Sequence, residues 1–387
     1  MRIAVLPFNA AKDSRPALAR QFSQFASEIA RSVSEEEIDA VNYLAQFQDE
    51  GVVRAAMVNP SEELNEPEML KQFLEQAKPD RLIDGLYTEN ANGGGKLVYR
   101  IFEDPTGEPS KTEEVAFLPG GEFGVLRSFI TDLVGVAGGK LPETMANDED
   151  LFGTNDPAAF TKFLEGYDTA QYIERSAGNV TRDFTPDAAF DSLFSAMEKD
   201  ADWEAPMLVA LQIVRLCTAY KVGNANNLEA VLHKLADKQP EDGRIWYALG
   251  DLKATVGDHA GAADAFEKAL KSEPNEPAIM TRLAVAQLNL GMPVNAERNL
   301  RQAVELEGDD KPSLDILSNV LVQTGRAHEV PAMWKEIVDK NPQNATAHSK
   351  YAMALLQTGR KEEAIKAFDH ALETVEDNLV VKRFYAP

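Results

Sequence analysis

Cysteine is nearly absent from this chain: Cys217 is the only one, so neither an intramolecular disulfide nor a cysteine-rich metal site can form, which suits a reducing compartment. Histidine is almost as scarce. All five (His233, His259, His328, His348, His370) lie beyond residue 232, so any site before them would work without imidazole, the commonest general base and metal ligand. They show no HExxH spacing, and packing or solvated roles are expected of them rather than metal binding. Basic charge is in deficit too. Against 39 Lys and Arg stand 63 Asp and Glu, a net charge of −24, which opposes nonspecific binding to nucleic acid or to an anionic membrane surface. No apolar run is long enough to span a bilayer. The apolar stretch in Met1–Phe8 is too short for the core of an export signal, so no membrane insertion and a cytoplasmic location are expected.

Present instead is the composition of a globular protein of two or three domains: 387 residues, 44% apolar and 26% charged. An internal period dominates its second half. Gly223, Gly257, Gly291, Gly325 and Gly359 follow one another at one constant interval, and other columns keep the same phase. Trp246, Met280, Leu314 and His348 form one; Leu249, Leu283, Leu317 and Tyr351 a second; Leu232, Phe266, Leu300, Trp334 and Phe368 a third; Leu235, Ala269, Ala303, Ile337 and Ala371 a fourth. Proline closes three units at Pro240, Pro274 and Pro342, with Gly308 and Glu376 at the other two equivalent places. Each unit reads as two amphipathic helices, Gly supplying a left-handed end to the first and Pro stopping the second. Small residues at Ala262 and Ala269 allow close approach of the pair, while Trp246, Leu249 and Phe266 fill the space between neighbours.

The run Trp246, Leu249, Gly250, Ala262, Phe266, Ala269, Pro274 resembles the tetratricopeptide repeat. Five repeats are expected over 209–378. A divergent helix pair over 157–208 precedes them, with Phe160, Phe163 and Leu164 on one helix and Ala189, Leu193 and Ala196 on the other. The resemblance implies an all-α superhelical solenoid whose first helices line a concave groove for a peptide or partner helix. Residues carried onto that groove are Tyr220, Arg244, Tyr247, Asp251, Thr281, Arg282, Asp315, Asn319 and Lys350. Chaperone-type members clamp a carboxylate with Lys and Asn four apart. Here Asp315 and Asn319 hold those places and the Lys is missing, so a mixed or modestly basic partner is expected rather than an acidic tail. Plain solvent-facing decoration is the alternative reading of this face.

Residues 1–140 follow another pattern: strands at Arg2–Phe8, Ile38–Phe47, Arg81–Thr88, Lys96–Glu103 and Glu113–Leu118, with helices at Arg15–Val33, Glu66–Ala77 and Glu122–Val136. The order βαβαβββα predicts an α+β domain built on a mixed sheet. Ile3-Ala4-Val5-Leu6-Pro7-Phe8, Asp84-Gly85, and Asp104 with Thr106-Gly107 make it similar to the amino-terminal domain of TolB, which also precedes tetratricopeptide repeats in some bacterial cyclase-type proteins. No catalytic role comes with that similarity. Residues 141–156, polar and acidic around Asp148-Glu149-Asp150, read as a linker, and the apolar 379–387 as a tail that caps the array or docks on another chain.

Other motifs reduce to structure. Gly93-Gly94-Gly95-Lys96 lacks the spacing and following helix of a phosphate loop and reads as a hairpin turn. Gly120-Gly121-Glu122 reads as a strand-to-helix turn, Glu35-Glu36-Glu37 as solvated charge, and Cys217 as core filler among Ile213, Leu216 and Tyr220. No catalytic residue, cofactor or metal site is assigned. The expectation is a non-enzymatic scaffold that binds protein partners and self-assembles. A small-ligand sensor in the N-terminal domain, or a regulatory arm for a separate catalytic chain, is the alternative.

Overall fold

A computed structural model describes residues 1–41, 44–49, 52–57, 61–103, 108–307 and 312–374. Asp104, Thr106-Gly107, Gly308, Glu376 and the 379–387 tail lie outside the described residues. The chain divides into two compact units, Met1–Asn227 and Leu228–Pro387.

The first unit opens with β1 (Arg2–Val5), which resumes after Pro7 as the short β2 (Asn9–Ala10); proline has no N–H to give the ladder. Helix α1 (Pro16–Val33) leads to β3 (Glu37–Ala40), and β4 (Leu44–Asp49) and β5 (Val52–Met57) follow. After α2 (Pro67–Ala77) come β6 (Arg81–Glu89), β7 (Gly95–Phe102), β8 (Lys111–Phe117) and α3 (Glu122–Val136). The main sheet has the order β3-β1-β6-β7-β8, with β2 also beside β6. Strand β1 runs parallel to β3 and β6, while β6, β7 and β8 alternate in direction. It is the expected mixed sheet. Alternation along β1 sends Ala4 and Leu6 toward Leu70 and Leu74 of α2. A second core lies against α3, where Phe129 packs on Phe8 (4.8 Å between centroids) and on Tyr99 (4.9 Å).

One strand departs from expectation. Ile38–Phe47 is not continuous: β3 ends at Ala40, and β4 turns back on β5 as a separate two-stranded sheet. Polar residues interrupt both of its strands, so no apolar alternation marks it in the sequence.

The acidic linker is a second correction. Residues 141–156 hold a 3₁₀ turn (Glu143–Met145) and the short helix α4 (Asp148–Phe152), which Asn147 caps by accepting from the Asp150 amide. Arg127 of α3 donates to the Met145 carbonyl (3.0 Å) and to Asp148 (2.7 Å). Leu151 and Phe152 are buried, and Phe152 stacks on Phe123 at 4.3 Å. Two apolar residues in a polar run are enough to pin the segment down.

Helices α5 (Pro157–Arg175) and α6 (Pro186–Lys199) form the divergent pair, with α7 (Ala205–Tyr220) packed against both. A Cβ on Gly166 would run into the Leu193 side chain. The same close approach recurs in the second unit, where a Cβ on Gly250 would meet Phe266 at 2.5 Å. Helices α1 and α5 also pack together. Arg20 donates to Asp168 through Nε (3.2 Å) and Nη2 (2.6 Å), with both residues buried, and Gln21 reaches the same carboxylate at 2.8 Å. Sheet domain and helix pair thus belong to one body, which a boundary at 140 would cut.

Helix α8 (Ala225–Lys238) crosses the division between units. Then follow α9 (Gly243–Thr255) with α10 (His259–Ser272), α11 (Pro277–Asn289) with α12 (Pro293–Glu307), α13 (Pro312–Gln323) with α14 (Val330–Lys340), and α15 (Ala345–Gln357) with α16 (Lys361–Thr374). Asp242, Asp258 and Asn344 cap α9, α10 and α15 by accepting from backbone amides. The glycine column has left-handed φ throughout, from 73° at Gly291 to 84° at Gly257, as its role in ending the first helices requires.

Candidate functional site

Neighbouring first helices of the second unit adjoin each other, and side chains named from the sequence meet there. Arg282 of α11 lies 3.4 Å from the Asp251 carboxylate of α9. Burial works to lower the pKa of that guanidinium, but the neighbouring Tyr247 hydroxyl and the charge of Asp251 outweigh it and raise the pKa. Tyr247 itself packs on Phe266 at 5.8 Å. Lys350 of α15 reaches back to Asp315 of α13 at 2.7 Å, an exposed pair worth at most about 1 kcal/mol. Thr281 is half-buried and its hydroxyl has no hydrogen-bond partner among the described residues. Asn319 is exposed on α13.

Two of the nine behave differently. Arg244 folds back onto the cap of its own helix, its Nη2 lying 2.7 Å from Asp242. Tyr220 belongs to the first unit, at the end of α7, and packs against Gly178.

Apolar residues absent from the sequence-based set share this face of the second unit. Val285 on α11, Val322 on α13 and Leu356 on α15 are 39%, 46% and 46% exposed. Val322 and Leu356 stand one repeat apart, and Leu288, half-buried, stands one repeat before Val322. The period that marks the core also marks this column. A search for polar groove residues passes it by.

Reactive chemistry is sparse among the described residues. Cys217 is buried, and burial pushes its thiol up to about 11. Gly93-Gly94-Gly95 turns from β6 into β7, and Lys96 pairs with Glu114 at 3.1 Å rather than facing a phosphate cradle. Among the described residues no group of three or more His, Cys, Asp and Glu is placed to hold a metal, and no helix is long and apolar enough to cross a membrane.

Fold and face together define the second unit as a paired-helix repeat array presenting its first helices. Tetratricopeptide-repeat models match residues 220–277, 253–319 and 318–378, so tetratricopeptide repeats run over residues 220–378. The similarity of residues 1–140 to TolB rests on the sequence motifs alone. Among curated proteins none matches the chain. Similar solved structures include YrrB, described as a TPR protein with an unusual peptide-binding site: 18% identity, covering 50% of this chain and 97% of that one, TM-score 0.36. MamA of Desulfovibrio magneticus is 18% identical over 46% of this chain and 97% of that one, TM-score 0.34. A tetratricopeptide repeat protein of Parabacteroides merdae is 11% identical over 58% of this chain and 84% of that one, TM-score 0.38.

Proposed function

We propose that this protein is a non-enzymatic scaffold whose second unit holds a partner segment across the first helices α9, α11, α13 and α15. The observation that carries the reading is the exposed apolar set Val285, Val322 and Leu356, set among the Tyr247–Asp251–Arg282 cluster and the Asp315–Lys350 pair. An apolar stripe with polar flanks matches the pattern of a peptide groove, where buried anchors supply affinity and flanking charges orient the segment. Basic side chains in the paired clusters are already compensated by Asp251 and Asp315, and the chain as a whole carries −24. That balance favours a partner of mixed or basic character over an acidic tail.

The test compares proteins retained by the tagged full chain with those retained by a Tyr247→Ala/Arg282→Ala/Val322→Ser variant of unchanged helical content. A specific partner lost by the variant supports the groove. A partner retained equally by both moves the binding surface elsewhere.

A further inference from the structure

A cleft of about 660 Å³ opens between α1, α5 and α6 of the first unit, a volume within the ordinary range for a small-molecule site. The groove reading makes no use of it. Pro16 and Ala17 of α1 and Ala188 and Ala189 of α6 line it, and such short apolar side chains leave room for an aliphatic chain. Arg20 and Asp168 also line the cleft, each compensating the other in their buried pair. Glu165 on the same wall is compensated as well, taking Arg15, Lys162 and the Ser192 hydroxyl at 3.1, 2.7 and 3.0 Å.

Two lining groups have no such partner. Thr169 is only 6% exposed, yet its hydroxyl makes no hydrogen bond to any described residue. Asp183, on the loop leading into α6, forms no ion pair or side-chain hydrogen bond among the described residues. Both groups open onto the cleft and are free to accept from an occupant. Beside a slot lined by Pro16 and Ala189, the missing complement is a hydrogen-bond donor with positive charge on an apolar stem.

We propose that this cleft binds a small aliphatic ammonium or guanidinium compound, whose cationic head is taken by the Asp183 carboxylate and the Thr169 hydroxyl. Its chain lies along Pro16, Ala17, Ala188 and Ala189. An anion is disfavoured because the lining cation Arg20 is already taken by Asp168, while the Asp183 carboxylate has no ion-pair partner among the described residues. The inference is independent of the groove. An occupant touches α1 of the sheet domain and both helices of the divergent pair, so binding ties those elements together and raises the melting temperature by mass action.

The experiment titrates the full chain by calorimetry at neutral pH and physiological salt with pentylamine, 1-pentanol and pentanoate, which share a chain length and differ in charge. Pentylamine is expected to bind at least about tenfold more tightly than the other two and to raise the melting temperature. Asp183→Asn, at an exposed position, should weaken that binding about tenfold while leaving the unliganded melting temperature unchanged, and Thr169→Val should weaken it as well. Equal binding by the Asp183→Asn variant would mean cations collecting generally on an acidic surface and would overturn the proposal. So would 1-pentanol binding as well as pentylamine, or no binding at millimolar concentration.

Discussion

His348 shows how a repeat column assigns a task to one side chain. At the equivalent place in α9, Trp246 donates its ring N–H to the carbonyl of Pro240 at 2.7 Å. His348 sets Nε2 2.9 Å from the carbonyl of Pro342, and because a carbonyl only accepts, that nitrogen carries the proton. Burial lowers the His348 pKa below its ordinary 6.5, with the Pro342 bond opposing and His370 adding to the shift. Around and just below that ordinary value the unfolded chain therefore binds a proton that the folded chain refuses. Stability should be level above it, fall as the pH drops through it, and level again below the folded pKa. Urea unfolding of the full chain across that range, compared with His348→Gln, checks the assignment. Glutamine keeps an N–H and does not titrate, so the variant should lose part of the acid slope; an unchanged slope would assign it to other groups.

Among the elements, legibility follows periodicity. Glu122–Val136 reads residue for residue because a long amphipathic pattern leaves little freedom at its ends. The strand at Arg81–Thr88 runs on only to Glu89. Helix α4 is not legible, because five residues are too few to show a helical period and acidic residues fill most of them. Its docking depends on Phe152, held among Phe123, Phe160 and Phe25 at 4.3, 5.1 and 6.1 Å. Phe152→Ala should destabilise the first unit by about 3–5 kcal/mol and expose residues 141–156 to limited proteolysis. Uncut, stable protein would show that the contacts made by Arg127 hold the segment without the ring.

For the whole molecule, the decisive contact joins residues 148 positions apart, Arg20 and Asp168. It fastens the sheet domain to the first helix pair, both of which lie in the unit Met1–Asn227. Arg20→Ala leaves a buried carboxylate uncompensated and should cost about 3–5 kcal/mol, whereas replacing both partners with apolar residues of similar volume, Arg20→Met with Asp168→Leu, should cost far less. Thermal unfolding of the two variants decides. Equal losses would mean that the pair serves packing and not charge compensation.

Whatever depends on neighbours along the chain is legible without coordinates: the constant interval of the glycine column and the left-handed turn that ends each first helix. Each follows from backbone geometry within a few residues. Which distant groups meet was settled by packing. Val322 is exposed while Leu288 of the same column is half-buried, Tyr220 falls in the other unit, and Asp183 and Thr169 line one cleft with Pro16. Such outcomes turn on how the elements lie against one another, and a local pattern carries no trace of a partner far along the chain.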